Sequence, residues 1–356
     1  MKISPHDVIA ALKAVKEVNQ GQDVVSRGMV KDIETGDNRV SFTLQMDDPS
    51  SPEAARLRQA AKTAVEALGI KDVSVQAAQR QKMMAGSMAK NSELIPGVKA
   101  TIAVASGKGG VGKSTLAVNL AVALNLSGAA TGLMDTDVYG PSVPHLMGSR
   151  TGPVVVEGKI EPPVAYGVKM ISMGYFLPAG EAVIWRGPML HKAIRQFLGD
   201  VRWGELDYLV IDLPPGTGDI QLSLSQTIPL TGAVIVSTPQ DVALTVAAKA
   251  IAMFEKLNVP ILGVVENMSY YACPHCGQRE DIFGHGGARA AAEKMHFPFL
   301  GEVPLDVKIR TASDQGRPIA LDESSACGKV FGDVATAVAT QVEAAQKQAG
   351  QGIQIE

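Results

Sequence analysis

Beyond residue 100 the chain alternates short apolar runs with stretches of helical period. The runs at 101–106 (TIAVAS), 130–135 (ATGLMD), 168–173 (VKMISM), 208–213 (YLVIDL), 232–238 (GAVIVST), 261–268 (ILGVVENM) and 299–304 (FLGEVP) are largely apolar at odd and even positions alike. A strand apolar on both faces belongs in a sheet covered on both sides. Residues 100–347 are therefore predicted to form a doubly wound, mostly parallel α/β domain. Connecting helices are predicted at 113–126, 189–198, 241–257, 287–295 and 329–346.

The first 77 residues follow a different pattern. Val8, Ile9, Leu12 and Val15 fall at near-helical spacing, alternating segments follow at 23–32 and 38–45, and a second helix is predicted over 51–68. Ser51 stands where it can cap that helix, with Pro52 in its first turn. A short strand at 72–75 would close a small α+β domain, residues 1–77. Residues 78–99 hold no sustained strand period and read as a linker ending at Pro96 and Gly97, and 348–356 read as a tail.

Charge and composition then remove whole classes of partner. Lysine and arginine total 33 against 36 aspartate and glutamate, a net charge of -3. A protein that grips nucleic acid regardless of sequence needs a basic excess, so no nucleic-acid partner is expected. No window has the apolar length of a membrane span. The opening residues mix charges into their apolar positions and lack a cleavage site, so a cytoplasmic protein with no membrane partner is expected. Three cysteines, two of them close together, do not make a disulfide framework, and the close pair points to a metal or redox site.

Directly after the run 101–106 comes Gly107-Lys108-Gly109-Gly110-Val111-Gly112-Lys113-Ser114-Thr115, which fits G-x-x-x-x-G-K-S/T and opens a predicted helix. The glycines let backbone N–H groups turn inward around phosphate oxygens, and the helix N-terminus adds partial positive charge. Lys113 is expected on the β- and γ-phosphates of ATP and the Ser114 hydroxyl on Mg²⁺. Asp135 and Asp137 follow the second run, where open α/β sheets hold ligands, turn capping being their other ordinary use. Asp212 ends the run YLVI and precedes a Pro-Pro-Gly loop. It matches a Walker B carboxylate that supports Mg²⁺ through water, with the Gly216 N–H facing the γ-phosphate.

The second lysine of the loop, Lys108, makes it resemble the deviant phosphate loop of the family that includes nitrogenase iron protein, the septum-placing ATPase MinD and the partition ATPases. The resemblance implies that Lys108 reaches across a homodimer to the nucleotide of the other subunit. It also implies that Asp137 orients or deprotonates the attacking water and that Asp135 supports Mg²⁺ through water. Asn267, in VVENMS, falls where that family recognises adenine, a capping asparagine being the plainer alternative.

Cys273-Pro274-His275-Cys276-Gly277 follows the run 261–268. Such a turn aims two sulfurs at one ion, yet a tetrahedral Zn²⁺ site or a four-iron cluster takes four protein ligands. Either His275 and His285 join the pair or a second chain supplies two more thiolates. A thioredoxin-like redox pair fits poorly, since the motif does not open the helix of a small βαβ unit. Cys327, alone before an amphipathic helix, is expected in the core.

From about residue 95 to 335, GKGGVGKST, DTDVYGPSVP, WRGPMLHKAI, WGELDYLVIDLPPGTGD, ENMSYYACPHCG, IFGHGGA and LGEVPLD resemble the Mrp or ApbC family of iron-sulfur cluster carriers. The resemblance implies a homodimeric P-loop ATPase, slow in turnover, that holds a labile 4Fe-4S cluster between Cys273 and Cys276 of two subunits. It implies as partners a cluster-assembly scaffold and apo iron-sulfur client proteins. Residues 1–77 resemble the small domain of SufT-type assembly factors, except that Ser51 stands where a reactive cysteine is common. Thiol chemistry is therefore not expected of that domain. A second reading is a MinD-like or partition-type positioning ATPase with a structural zinc at Cys273 and Cys276. Against it, the segment VEAAQKQAGQGIQIE lacks the basic amphipathic anchor that membrane cycling needs. A nucleotide-dependent binding module without turnover is the third.

Overall fold

The computed structural model describes residues 5–15, 23–25, 29–36, 38–46, 51–70, 72–79, 93–176, 187–216, 218–273 and 275–351. The chain divides into two compact units, Met1–Ala85 and Gly86–Glu356. The parts of the expected linker and tail at 80–92 and 352–356, and the motif residues Trp185, Arg186, Thr217 and Pro274, lie outside the described residues.

The first unit runs α1 (Pro5–Leu12), β1 (Val30–Gly36), β2 (Arg39–Met46), α2 (Pro52–Glu66) and β3 (Asp72–Gln79). The three strands form one sheet in sequence order, β2 antiparallel to β1 and parallel to β3. Val40, Phe42 and Leu44 alternate along β2 onto one buried face and meet Val8 and Leu12 of α1 and Leu57, Ala61 and Val65 of α2. Ser51 Oγ accepts the Ala54 N–H at 3.1 Å, so this serine works as a helix cap. The strand predicted over 23–32 is corrected in part: Asp23 accepts the Val25 N–H at 3.0 Å in a turn, and the continuous strand among the described residues runs from Val30. The strand predicted over 72–75 continues to Gln79 because β2 offers parallel partners along its whole length.

The second unit begins with β4 (Val98–Ser106), α3 (Lys113–Leu126), β5 (Thr131–Asp135), α4 (Val143–Leu146), β6 (Val154–Val156), β7 (Lys159–Glu161), β8 (Val164–Ala165) and β9 (Val168–Ser172). It continues with α5 (Gly187–Gly199), β10 (Leu206–Asp212), α6 (Asp219–Thr227), β11 (Gly232–Ser237), α7 (Asp241–Lys256) and β12 (Ile261–Asn267). The last elements are β13 (Tyr271–Ala272), β14 (Arg279–Glu280), α8 (Gly287–Lys294), β15 (Phe299–Val303), α9 (Val307–Asp314) and α10 (Ala326–Gln351). Eight strands make one sheet, in the order β15-β12-β11-β4-β10-β5-β9-β8. All neighbours are parallel except the edge pair β8 and β9.

The sheet is buried on both faces, as its sequence pattern demands. Along β4, Ile102 and Val104 join one core with α3 and α10, while Ala103 and Ala105 join the other with α5 and α7. Helix α3 is buried almost all round, from Leu116 to Leu124, because α10 lays Phe331, Val334 and Val338 into the same core. Asn119, a polar residue on that helix, is satisfied by accepting the Ala320 N–H at 2.9 Å. Helix α10 runs to Gln351, past the predicted end at 346. The β6–β7 hairpin, with Val154, Val155 and Val156 exposed, and helices α6 and α9 are elements the sequence pattern did not predict.

Candidate functional site

The phosphate loop closes the carboxyl end of the central strand β4. Gly110 (φ 81°) and Gly112 (φ 83°) adopt the left-handed backbone that glycine tolerates, and Gly112 heads α3. A side chain on Gly112 would run into the Asn267 amide. Ser106 Oγ donates to the Lys108 carbonyl at 3.0 Å, holding the loop's first turn, and the Lys108 residue is half-buried.

Lys113 is 5% exposed, and its ammonium pairs with Asp212 and lies 3.3 Å from Ser114 Oγ. The parallel register of β10 and β5 sets Asp212 beside Asp135 at the ends of neighbouring strands. Both carboxylates are fully buried. Burial, and then the charge of Asp212, pushes the Asp135 pKa up to about 7. Burial also raises that of Asp212, against the pull of Lys113. Asp135 accepts the Asp137 N–H at 3.0 Å, the Val143 N–H at 3.3 Å and the Ser172 hydroxyl at 2.8 Å. The second oxygen of Asp212 has no hydrogen-bond partner among the described residues. A buried oxygen left unpaired costs about 1–3 kcal/mol, which suits a position kept for a ligand. With the Ser114 hydroxyl nearby, this donor set of hard oxygens fits Mg²⁺.

Three predicted residues are engaged by the protein's own backbone. Asp137 Oδ1 accepts the Tyr139 and Gly140 N–H groups at 3.0 and 3.2 Å, so one of its oxygens caps a turn. The Gly216 N–H donates to the Ser106 carbonyl at 3.0 Å. The Asn267 amide donates to the Val111 carbonyl at 2.8 Å, bracing the phosphate loop from β12.

Cys273 and Cys276 occupy the tip of the β13–β14 hairpin, whose two-residue strands pair Tyr271 with Glu280 and Ala272 with Arg279. The Cys273 N–H donates to the Gln278 carbonyl at 2.9 Å and the Gly277 N–H to the Cys273 carbonyl at 2.8 Å, with Gly277 at φ 73°. The backbone N–H groups of His275 and Cys276, then the Cys276 thiol, hold the Cys273 thiol below its usual pKa. Cys276 is exposed and Cys273 half-buried. His285 is drawn elsewhere, with Arg279 Nη2 2.5 Å from its Nδ1. Among the described residues, the group of three His, Cys, Asp or Glu side chains with ligand atoms within 4.8 Å is Glu266, His285 and Glu302, and neither cysteine joins it. Arginines occupy that group, since Arg279 and Arg289 both reach Glu302, at 3.5 and 3.2 Å. Cys327 is buried in the α3–α10 core, and burial raises its thiol to about 11.

Sequence reasoning passed over Glu266 and Ser172. Each is a polar residue inside an otherwise apolar strand run, and that interruption is the signal. No described helix is long and apolar enough to cross a membrane.

A family model described as NUBPL iron-transfer P-loop NTPase matches residues 97–339, and one described as iron-sulfur cluster assembly protein matches residues 5–77. The chain is 46% identical over 341 residues to the iron-sulfur cluster carrier protein of Deinococcus radiodurans, covering 94% of this chain and 95% of that one. It is 50% identical over 256 residues to the carrier of Escherichia coli K12, covering 71% and 69%. Among solved structures, the nucleotide-binding protein of Archaeoglobus fulgidus in complex with ADP is 41% identical with a TM-score of 0.57, over 66% of this chain and 93% of that one. The cell division ATPase MinD of Pyrococcus furiosus, 24% identical with a TM-score of 0.52 over 68% and 99%, shares the fold.

Proposed function

The chain belongs to the family of NUBPL iron-transfer P-loop NTPases, and from that membership we propose that it is a cytoplasmic iron-sulfur cluster carrier that binds and hydrolyses ATP. On this reading two copies hold one labile 4Fe-4S cluster on Cys273 and Cys276 of each, take it from an assembly scaffold, and pass it to apo-proteins. The observation that carries the reading is the cysteine hairpin: two thiols presented at a surface tip, with no third ligand gathered around them among the described residues. Four ligands then require a second chain. Exposed Ile282 and Phe283, just beyond the hairpin, offer apolar surface for that contact.

At the nucleotide site, phosphate oxygens take the Lys113 ammonium away from Asp212, and the loop N–H groups from Gly107 to Thr115 surround them. Ser114, with Asp135 and the free oxygen of Asp212 through water, would hold Mg²⁺, which supplies charge neutralisation to the β- and γ-phosphates. Asp137 keeps one oxygen on its turn and offers the other to the attacking water. Gly216 reaches the γ-phosphate by exchanging its bond to Ser106. Asn267 meets adenine with the part of its amide not committed to Val111. Lys108 completes the partner's site. Residues 1–77 serve as a docking module, with Ser51 capping a helix in place of thiol chemistry. The positioning-ATPase alternative keeps only a likeness of fold.

Anaerobic reconstitution with iron and sulfide tests the proposal. About four irons per two chains are expected, with dimer mass by sedimentation; protein that takes up only zinc overturns it. Lys108→Ala should bind nucleotide and lose hydrolysis, and mixing it with Lys113→Ala should restore part of the activity through mixed dimers.

A further inference from the structure

The segment that carries the cysteines leaves the sheet after β12 and returns at α8, and one side chain fastens both of its feet. Glu266 is fully buried at the end of β12. Its Oε1 accepts the Ser269 hydroxyl at 2.6 Å, on the outgoing foot, and the Gly286 N–H at 3.2 Å, on the returning foot. Its Oε2 accepts the Ala288 N–H at 2.6 Å, in the first turn of α8. A buried carboxylate survives by such multiple donation, here aided by the partial positive charge of a helix N-terminus. The next residue, Asn267, points its side chain to the other side of the strand, as alternation requires, and donates to the Val111 carbonyl of the phosphate loop. Two consecutive residues of one strand end therefore grip the nucleotide loop and the base of the cysteine segment. The returning foot also reaches the hairpin directly, since His285 touches Arg279 of β14. Met268, between the strand end and the outgoing foot, has φ 55°.

We infer that Glu266 is a positioning residue that transmits the state of the phosphate loop to Cys273 and Cys276. Nucleotide that reseats Val111 shifts Asn267 and the strand end with it. Glu266 carries that displacement to Ser269 and Gly286, and so changes how the two thiols are presented. The inference rests on the reading that Cys273 and Cys276 are the working thiols. A contiguous bonded path becomes coupling only when coupling is measured.

The test uses the full chain without cluster, in a Cys327→Ser background, and follows the rate at which Cys273 and Cys276 react with a disulfide reagent, with and without Mg·ATP. The wild-type pair should change rate several-fold on adding nucleotide. Glu266→Gln keeps the size and loses the charge. It should bind a fluorescent ATP analogue within about threefold of wild type while the ratio of the two thiol rates falls close to one. A merely structural loosening would raise both rates together and leave their ratio intact. Ser269→Ala, which frees one foot alone, should give an intermediate ratio and serves if Glu266→Gln fails to fold. A wild-type ratio of one, or a ratio unchanged in both variants, overturns the inference. Failure of the carrier reading shows separately, as thiols that respond to ATP in a chain that reconstitutes no iron.

Discussion

The phosphate loop and the cysteine hairpin are built to opposite specifications. At the loop, Asp135 and Asp212 at the ends of neighbouring strands and Lys113 at the start of α3 lie out of solvent, and neighbouring backbone and hydroxyl groups fix Asp135. At the hairpin, two-residue strands support a half-buried and an exposed thiol. The first arrangement holds charge in place before a ligand arrives, which is what positioning chemistry needs. The second leaves coordination open, so on the proposed reading a cluster there would depend on what a partner adds and would be exchanged when that partner changes. Enclosure suits a co-substrate used in place, and exposure suits cargo.

Breaking either side of the contrast should spare the other. The largest effect is expected from Cys273→Ser or Cys276→Ser. Each should abolish the broad visible absorption of reconstituted protein and reduce iron to background, because a serine hydroxyl is a poor substitute for a soft thiolate. ATP turnover should stay within about twofold, since neither residue touches the phosphates. Full iron content in either variant would sink the ligand assignment. Next, Lys113→Ala should lower ATP hydrolysis by about 10²-fold or more while reconstituted iron stays at the wild-type level, measured on the same preparation.

A smaller effect sharpens the contrast through pH. Asp135 has its pKa raised from 3.8 to about 7, so the fold favours its protonated form. That contribution is complete below the ordinary carboxylate pKa and is lost as pH rises through about 7. Thermal melts of nucleotide-free protein should therefore show the midpoint falling by a few degrees from about pH 5 to 8. Asp135→Asn should flatten that slope, and an unchanged slope would remove Asp135 as its source. The smallest change is expected for Cys327→Ser. Its spectrum should match wild type, with a loss of no more than about 1 kcal/mol in denaturant titrations, since Asp306 beside the thiol can accept from the new hydroxyl.

Much of the nucleotide site was legible because its chemistry demands a local pattern. Glycines at 107, 109, 110 and 112, then Lys113, could be read without knowing what lies nearby. The apolar runs likewise marked seven strands of the sheet, since burial on both faces leaves few choices of residue. Contacts made across the chain were hidden. Asn267 gives no local hint that its amide meets Val111, 156 residues earlier. Nor does Gly216 announce that its N–H is taken by Ser106. The β6–β7 hairpin was missed because Val154, Val155 and Val156 are exposed, so its valines do not alternate with polar residues as a half-buried strand would. The strand predicted over 23–32 begins late for the reverse reason, a local aspartate turn at Asp23 outbidding an alternating pattern.

The cover that α10 provides for α3 has a consequence for biosynthesis. During translation the phosphate loop and α3 leave the ribosome early, while Ala320 and the helix from Ala326 onward, which complete the burial of α3, come last. Until then the apolar positions of α3 from Leu116 to Leu124 lack that cover, and a chain at that stage carries the kind of exposed apolar surface that promotes aggregation before folding is complete.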